Sequence, residues 1–567
     1  MASTEAMIPG GVMLNAYPDS CGGTLSDIVE LLKPGQALDG AFSLFYILPS
    51  LYNSDLDRGF SIVDYGINGV IATEQDLSDM RSLGLELKLD FVLNHISVQS
   101  PQFRDLFEKG DGSVYRDFFV DWNAFWEGNG TMGEDGIIVP NPEHMEKLFM
   151  RKPGLPTLRI PFPDGTDRFY WNTFYQQVTV TPPTAEALIA AGLPKSVAAT
   201  VAARVVEWVE QGEPIPKIAL EEHNEYRGQV VAYVERSCTS YLGQMDLNAE
   251  SEIVWEYYDE SLRRMRDYGA RIIRLDAFAY LHKEVGQSNF FNEPGTWDYL
   301  RRLKEIADGY GLLLLPEIHS RYDEQIHGQL ADNGFAFYDF FFPGLVINAL
   351  ETGSNDHLLE WIREVVDLGY VTVNMLGCHD GIPLLDMKGL LEEESIDRLI
   401  DIVLERGGMV KNLFGPDGTK VSYYQVNATF FSALGEDDDK LLLARAIQMF
   451  MPGVPEVWYL DLFAGTNDHE AAAGGHKEIN RTNLSMEHVS AKLEESVVQR
   501  QLELLRFRNS FPAFGFDADL KICDTSNDRL ELTWTKGKVS ATLRADLGAH
   551  EFEITFSDGG EMGVLDV

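Results

Sequence analysis

The sequence predicts an α/β fold: a (β/α)8 barrel with two inserted subdomains and a small C-terminal antiparallel β domain. Three observations predict it. Eight short apolar segments recur along the chain, most followed by a stretch with helical periodicity. The segments are near-continuous apolar runs, as in a parallel sheet covered on both faces. Two of the gaps between them are too long for a connection in a compact domain and require inserted structure.

The segments are VMLNAYPD (12–19), GAFSLFYILPS (40–50), LELKLDFVLNH (85–95) and ARIIRLDAFAY (270–280), then GLLLLPEIH (311–319), FAFYDFFFP (335–343), YVTVNMLGCHD (370–380) and GVPEVWYLDLFA (453–464). Between them, EIVWEYYDESLRRMRDYG and WDYLRRLKEIADGYG carry helical periodicity and end in glycine, as a helix C-terminus does. The gap after the third segment runs about 175 residues and the gap after the seventh about 70. The first divides near VTVTPP: the part before is mixed and aromatic, and TAEALIAAGLPKSVAATVAARVVEWVEQG after it reads as two helices. The tail alternates, as in RLELTWTKGKVSATLRA, with Lys-Gly as a turn signal. The expected division is therefore 1–93, 243–380 and 441–515 for the barrel, 94–178 for a first inserted domain and 179–242 for an extra helical insertion. Residues 381–440 form a second inserted subdomain and 516–567 the C-terminal β domain.

Composition bounds the function. With 45% hydrophobic and 24% charged residues the chain reads as an ordinary soluble globular protein. No run approaches the roughly 18 apolar residues of a membrane span, and the first residues lack the basic and apolar regions of a signal peptide. Four scattered cysteines make neither a disulfide framework nor a zinc knuckle, so a cytoplasmic enzyme is expected. The formal net charge of −43 excludes nucleic acid and anionic membranes as partners, and suits a surface adapted to salt. Any anionic substrate then needs local Arg or Lys to overcome that background. Gly128–Gly133 matches G-x-G-x-x-G, but no strand is expected before it and no helix after, so it reads as a turn-rich loop.

Catalytic groups of a barrel sit at the C-terminal ends of its strands. The third segment ends in Asn94-His95, the fourth carries Arg274 and Asp276, the fifth ends in Glu317 and His319, and the seventh in His379-Asp380. Arg274 and Asp276, two residues apart, share one face of a strand. Alone, the pair reads either as a structural ion pair or as a guanidinium that keeps a nucleophilic carboxylate charged. With Glu317 and Asp380 on neighbouring strand ends the set fits retaining glycoside cleavage. In that chemistry one carboxylate attacks the anomeric carbon, and a second, about 5–5.5 Å away, first donates and then accepts the proton. Arg274 is expected to favour charged Asp276, and the apolar LLLLP before Glu317 to raise that carboxyl's pKa and suit it to donate.

DFVLNH (90–95), RLDAFAY (274–280), PEIHS (316–320) and CHDGI (378–382) resemble, in order, the four signature regions of glycoside hydrolase family 13, the α-amylase family. The resemblance implies Asp276 as nucleophile, Glu317 as acid/base and Asp380 as the third carboxylate, with His95 and His379 against the glucosyl ring. Within that family the chain resembles the sucrose phosphorylase group through DRGFSIVDY (57–65), RKPGLP (151–156), YYQVNATFFSALG (423–435), MPGVPEVWYLDLFAGTND (451–468) and EINR (478–481). That likeness implies that Asp57 and Arg481 hold the far hydroxyls of glucose and Phe60 forms an aromatic platform. Arg274, His319, Phe174 and Tyr280 are further substrate-side candidates. Phosphate is then the acceptor, α-glucose 1-phosphate the product, and neither a metal nor a cofactor is expected.

Where sucrose-specific members carry Asp-Leu-Tyr-Gln, this chain has Ser422, Tyr423, Tyr424 and Gln425. Losing the carboxylate removes repulsion toward an anion, and the facing loop carries Arg151 and Lys152. The resemblance so read favours sucrose 6'-phosphate, cleaved to fructose 6-phosphate, over sucrose; Arg151 and Lys152 also read as an ordinary solvated pair. Sucrose, glucosylglycerol or glucosylglycerate phosphorolysis and plain α-glucoside hydrolysis are the alternatives on the same fold. The expected partners are small molecules, with the chain a monomer or homodimer.

Overall fold

The computed structural model describes residues 8–148, 154–414 and 420–567, and of 411–414 and 420–425 the backbone alone. Eight parallel strands form the central sheet: β1 (Met13–Ala16), β2 (Leu44–Ile47), β3 (Glu86–Val92), β4 (Ala270–Asp276), β5 (Leu313–Pro316), β6 (Phe337–Asp339), β7 (Thr372–Met375) and β8 (Val454–Trp458). They are hydrogen-bonded in the order β5-β4-β3-β2-β1-β8-β7-β6, and β5 lies beside β6 without a ladder, so the barrel is all but closed. Each of the eight expected segments supplies one strand.

The strands are buried on both faces because helices cover the outside. Glu252–Asp267 shows how: Val254, Trp255, Tyr258, Leu262 and Met265 recur at helical spacing on its buried face. Gly269 follows at φ 94°, the left-handed conformation that ends a helix cheaply only for glycine. Glu74–Ser82 starts with a reciprocal cap, Asp76 N–H donating to the Thr73 hydroxyl while Thr73 N–H donates to the Asp76 carboxylate.

Two excursions leave the barrel. After β3, His95–Ser97 pairs antiparallel with Gln244–Asp246, and Gln176–Val180 pairs with Thr239–Gly243. The two arms of that second ladder carry a helical unit with its own core of Leu188, Leu193, Val201, Val205, Ile215, Val230 and Val234. The two expected helices are Ala185–Ala190 and Lys195–Glu210; a third, Arg227–Tyr233, joins them. After β7 come a short turn of helix (Leu384–Met387), the helix Glu393–Glu405, and the hairpin Met409–Phe414 with Lys420–Asn427. The tail is a five-stranded antiparallel sheet, β9 (Asp519–Ile522) to β13 (Glu561–Val564), with β10 (Arg529–Lys536) turning at Gly537 into β11 (Val539–Asp546) and β12 (Glu551–Asp558) between β11 and β13. Residues 130–132 form one arm of a short hairpin with 138–140, so the glycine-rich stretch contains a strand, and no helix opens on it.

Candidate active site

The open end of the barrel holds a cavity of about 1030 Å³, near the upper end of small-molecule sites. Asp57, Phe60, His95, Phe174, Asp276, Tyr280, Glu317, His319 and Asp380 all line it. Arg274, His379 and Arg481 do not: they are buried, behind its wall. His379, expected against the sugar, instead stacks on Phe60 with ring centroids 5.0 Å apart and planes 9° from parallel. Arg151 and Lys152 lie outside the described residues. Ser422, Tyr423, Tyr424 and Gln425 belong to the strand Lys420–Asn427, and their side chains also lie outside the described residues.

Arg274 organises the centre. On β4 it stands two residues from Asp276 and in register with Asp90 on β3. Its Nη1 donates to Asp276 Oδ1 and Asp90 Oδ1, both at 2.7 Å, while Nη2 lies 3.2 Å from Glu317 Oε1. One guanidinium, 3% exposed, thus holds three carboxyl groups. Tyr46 Oη also donates to Asp90, at 2.7 Å. Immediately after Asp276 the backbone turns left-handed at Ala277, φ 52°, a conformation that costs a non-glycine residue of order 1–3 kcal/mol. The turn aims Ala277 N–H at Glu317 Oε2, 3.1 Å away.

The electrostatics differ from the sequence expectation. Burial pushes the Glu317 carboxyl up, but Arg274 and His319 outweigh it and hold it at about 2. Asp276 is pushed the other way, chiefly by burial and by the negative charge of Glu317 and Asp90, against the pull of Arg274. Asp276 and Glu317 share that guanidinium and titrate as a pair. The apolar strand before Glu317 does not set its proton affinity, because the carboxyl points at donors on other elements.

The far end is built on strain and ion pairs. Asp57 and Arg58 both have φ 48°, and the Cβ of any residue replacing Gly59 would meet Ser50 N at 2.1 Å. Arg481, 1% exposed, donates from Nη1 to Asp57 Oδ1 (3.1 Å) and from Nε to the His379 carbonyl (2.7 Å). Lys477 donates to Asp380 Oδ1 at 2.7 Å and reaches Asp57 Oδ2 at 3.8 Å. Burial opposes ionisation of Asp380, yet His379, Lys477 and Arg481 hold its pKa well below the ordinary carboxylate range. Asp57 is lowered too, Lys477 and Arg481 overcoming its desolvation. Burial pushes His95 down to about 4, so the ring is neutral, and its Nε2 lies 3.0 Å from the Phe60 carbonyl.

Sequence reasoning missed Asp90, Asp386 and Lys477. Lys477 stands next to EINR, and Asp386 six residues after Asp380, both in single helical turns too short to show periodicity. Asp90 was legible: Lys88 and Asp90 in LELKLDFV repeat the alternation of Arg274 and Asp276. Lys88 pairs with Glu456 across the barrel interior, both fully buried, under the rings of Tyr46 and Tyr338.

The arrangement can place one carboxylate at an anomeric carbon and a second at the departing oxygen, while a third, fixed as an anion, meets sugar hydroxyls. No family model matches the chain. It is 53% identical to a sucrose 6(F)-phosphate phosphorylase of Ilumatobacter coccineus, over 100% of this chain and 99% of the relative. Among solved structures it resembles the sucrose 6F-phosphate phosphorylase of Thermoanaerobacter thermosaccharolyticum, at 31% identity and TM-score 0.79, covering 99% of this chain and 98% of that one. It also matches an α-amylase from H. orenii, at 14% identity and TM-score 0.58 over 95% and 90% of the two chains, a likeness of fold alone. The chain is an enzyme and belongs to the sucrose phosphorylase group of glycoside hydrolase family 13.

Proposed function

We infer that this enzyme cleaves sucrose 6'-phosphate with inorganic phosphate, giving α-glucose 1-phosphate and fructose 6-phosphate with retention. The observation that carries the reading is the 53% identity, without truncation on either side, to a sucrose 6(F)-phosphate phosphorylase. The cavity supports it: Asp57, Asp380, Lys477 and Arg481 bring acidic and cationic groups together at one end, suited to holding the hydroxyls of a sugar ring.

Asp276 attacks the glucosyl carbon as the bond to the fructosyl oxygen breaks, and Glu317 gives that oxygen a proton. Phosphate oxygen then displaces Asp276 from the same carbon, and Glu317 takes the proton back. Two inversions leave the α configuration. Glu317 must carry a proton in the first step, against the pull of Arg274 and His319. An anionic leaving group seated beside Glu317 raises that carboxyl's proton affinity and favours that protonation. Asp380 and Asp57 stay ionised to hold hydroxyls, and Phe60, stiffened by His379, gives the ring a flat apolar floor. Arg151 and Lys152 with the loop 422–425 are assigned to the leaving group and incoming phosphate. The test is α-glucose 1-phosphate release from sucrose 6'-phosphate and from sucrose, each with phosphate. A clear preference for the phosphorylated substrate is expected. Equal rates would remove the acceptor assignment, and glucose release at the same rate without phosphate would make the enzyme a hydrolase.

A further inference from the structure

One line of polar groups in the cavity has no part in the steps above. His319 sits between two carboxylates: its Nδ1 is 2.8 Å from Asp386 Oδ2 and its Nε2 3.4 Å from Glu317 Oε1. Its ring is stacked on Phe340, centroids 4.0 Å apart and planes 20° from parallel. A neutral imidazole has one N–H and one lone pair, so one of those carboxylates would face a lone pair. Only the doubly protonated ring suits both. Glu317 does not relieve this by carrying the proton, because its other contacts, Arg274 Nη2 and Ala277 N–H, are also donors.

We propose that Asp386 is a positioning residue that keeps His319 an imidazolium beside Glu317, so that the acceptor side of the cavity carries a fixed positive charge for incoming phosphate. The proposal rests on the phosphorylase reading. Among the described residues the cavity wall is otherwise acidic there: Glu317, Glu324 and Asp386 line it, and Arg321 is committed to Asp323 and Glu324 and Lys388 to Glu393. A phosphate approaching the glucosyl-enzyme meets Glu317 as a carboxylate, and water, being neutral, meets no such repulsion. The imidazolium offsets that repulsion and tilts the partition from hydrolysis to phosphorolysis.

The groups facing His319 are Glu317 from the end of β5, Asp386 from the Leu384–Met387 turn, and uncharged Phe340 after β6; Glu324 acts on Asp386 from a distance. Burial opposes the charge on His319, but Asp386 and then Glu317 overcome it and lift the ring to about 10. The charge is thus present below that value and lost as pH rises through it.

The test is Asp386→Asn, comparing phosphorolysis with hydrolysis from pH 6 to 9. As pH falls the variant's ring regains its proton from solution, and the gap in the ratio is expected to narrow. At pH 8 the variant is expected to lose 10-fold or more in phosphorolysis relative to hydrolysis, through a higher KM for phosphate, and Asp386→Glu to restore it. Equal loss of both reactions at every pH, or no loss, would overturn the proposal. If Asp386→Asn does not fold, histidine NMR of the unaltered enzyme, assigned with His319→Gln, replaces it: a His319 ring titrating near 6.5 overturns the proposal and one protonated past pH 8 supports it. The NMR result does not depend on substrate. A wild-type enzyme that makes no glucose 1-phosphate would instead count against the proposed function.

Discussion

Lys477→Met isolates the contribution of a residue that no sequence motif marked. The ammonium sits 2.7 Å from Asp380 Oδ1, and methionine keeps most of the side chain's volume while deleting the charge. At that distance two unit charges attract by about 6 kcal/mol at an effective dielectric of about 20. Desolvating the ammonium takes back much of this. Asp380 also keeps His379 Nε2 at 3.2 Å and Arg481 Nη2 at 3.5 Å, so it is not left unpaired. The net loss should be that of one hydrogen bond to a charged group, about 1.5–3 kcal/mol. If Asp380 meets sugar hydroxyls in the transition state, kcat/KM for the glucosyl donor falls by roughly 10- to 150-fold. The sign of the pH effect follows from the folded pKa of Asp380, which lies below the ordinary value. Stability and activity that depend on its anion are present above that ordinary value and lost as pH falls through the depressed one, and removing Lys477 moves the acid limb upward. Steady-state kinetics carried from pH 8 down below pH 4, as far as circular dichroism shows the fold intact, measures both. A drop of less than twofold with an unmoved acid limb would refute the assignment of Lys477 to the site.

Two further outcomes follow from the same structure. Glu317→Gln should slow cleavage of sucrose or its phosphate by about 10²–10⁴-fold, yet leave glucosyl transfer from α-glucosyl fluoride, whose leaving group needs no proton, far less affected; both can be followed by product release. The net charge of −43 implies self-repulsion that salt screens, so the melting temperature should rise by several degrees between about 0.05 M and about 1 M KCl. A flat or falling trend in differential scanning fluorimetry would contradict that reading.

The barrel was legible because parallel strands buried on both faces leave uninterrupted apolar runs, and because a barrel projects its strand ends to one mouth. That is why Asp276, Glu317 and Asp380 could be brought together from four short motifs. The helix Arg227–Tyr233 was not legible, since seven residues behind an acidic, histidine-bearing stretch give too little periodicity. Lys477 and Asp386 come from single helical turns and reach the cavity only through the tertiary fold. Protonation was the least legible feature. LLLLP describes the residues before Glu317, whereas its carboxyl is governed by Arg274 from β4, by Ala277 N–H and by His319. Similarly, the adjacency of His379 and Asp380 does not reveal that the imidazole serves Phe60 from behind the wall.

The central claim is that Asp276 forms the bond to the sugar in this cavity, and trapping tests it most directly. Glu317→Gln loaded with α-glucosyl fluoride, quenched, digested and analysed by mass spectrometry should show one hexosyl unit on the peptide bearing Asp276, and none in the Asp276→Asn double variant. A hexosyl unit on another residue, or an intact adduct in the double variant, would contradict the account.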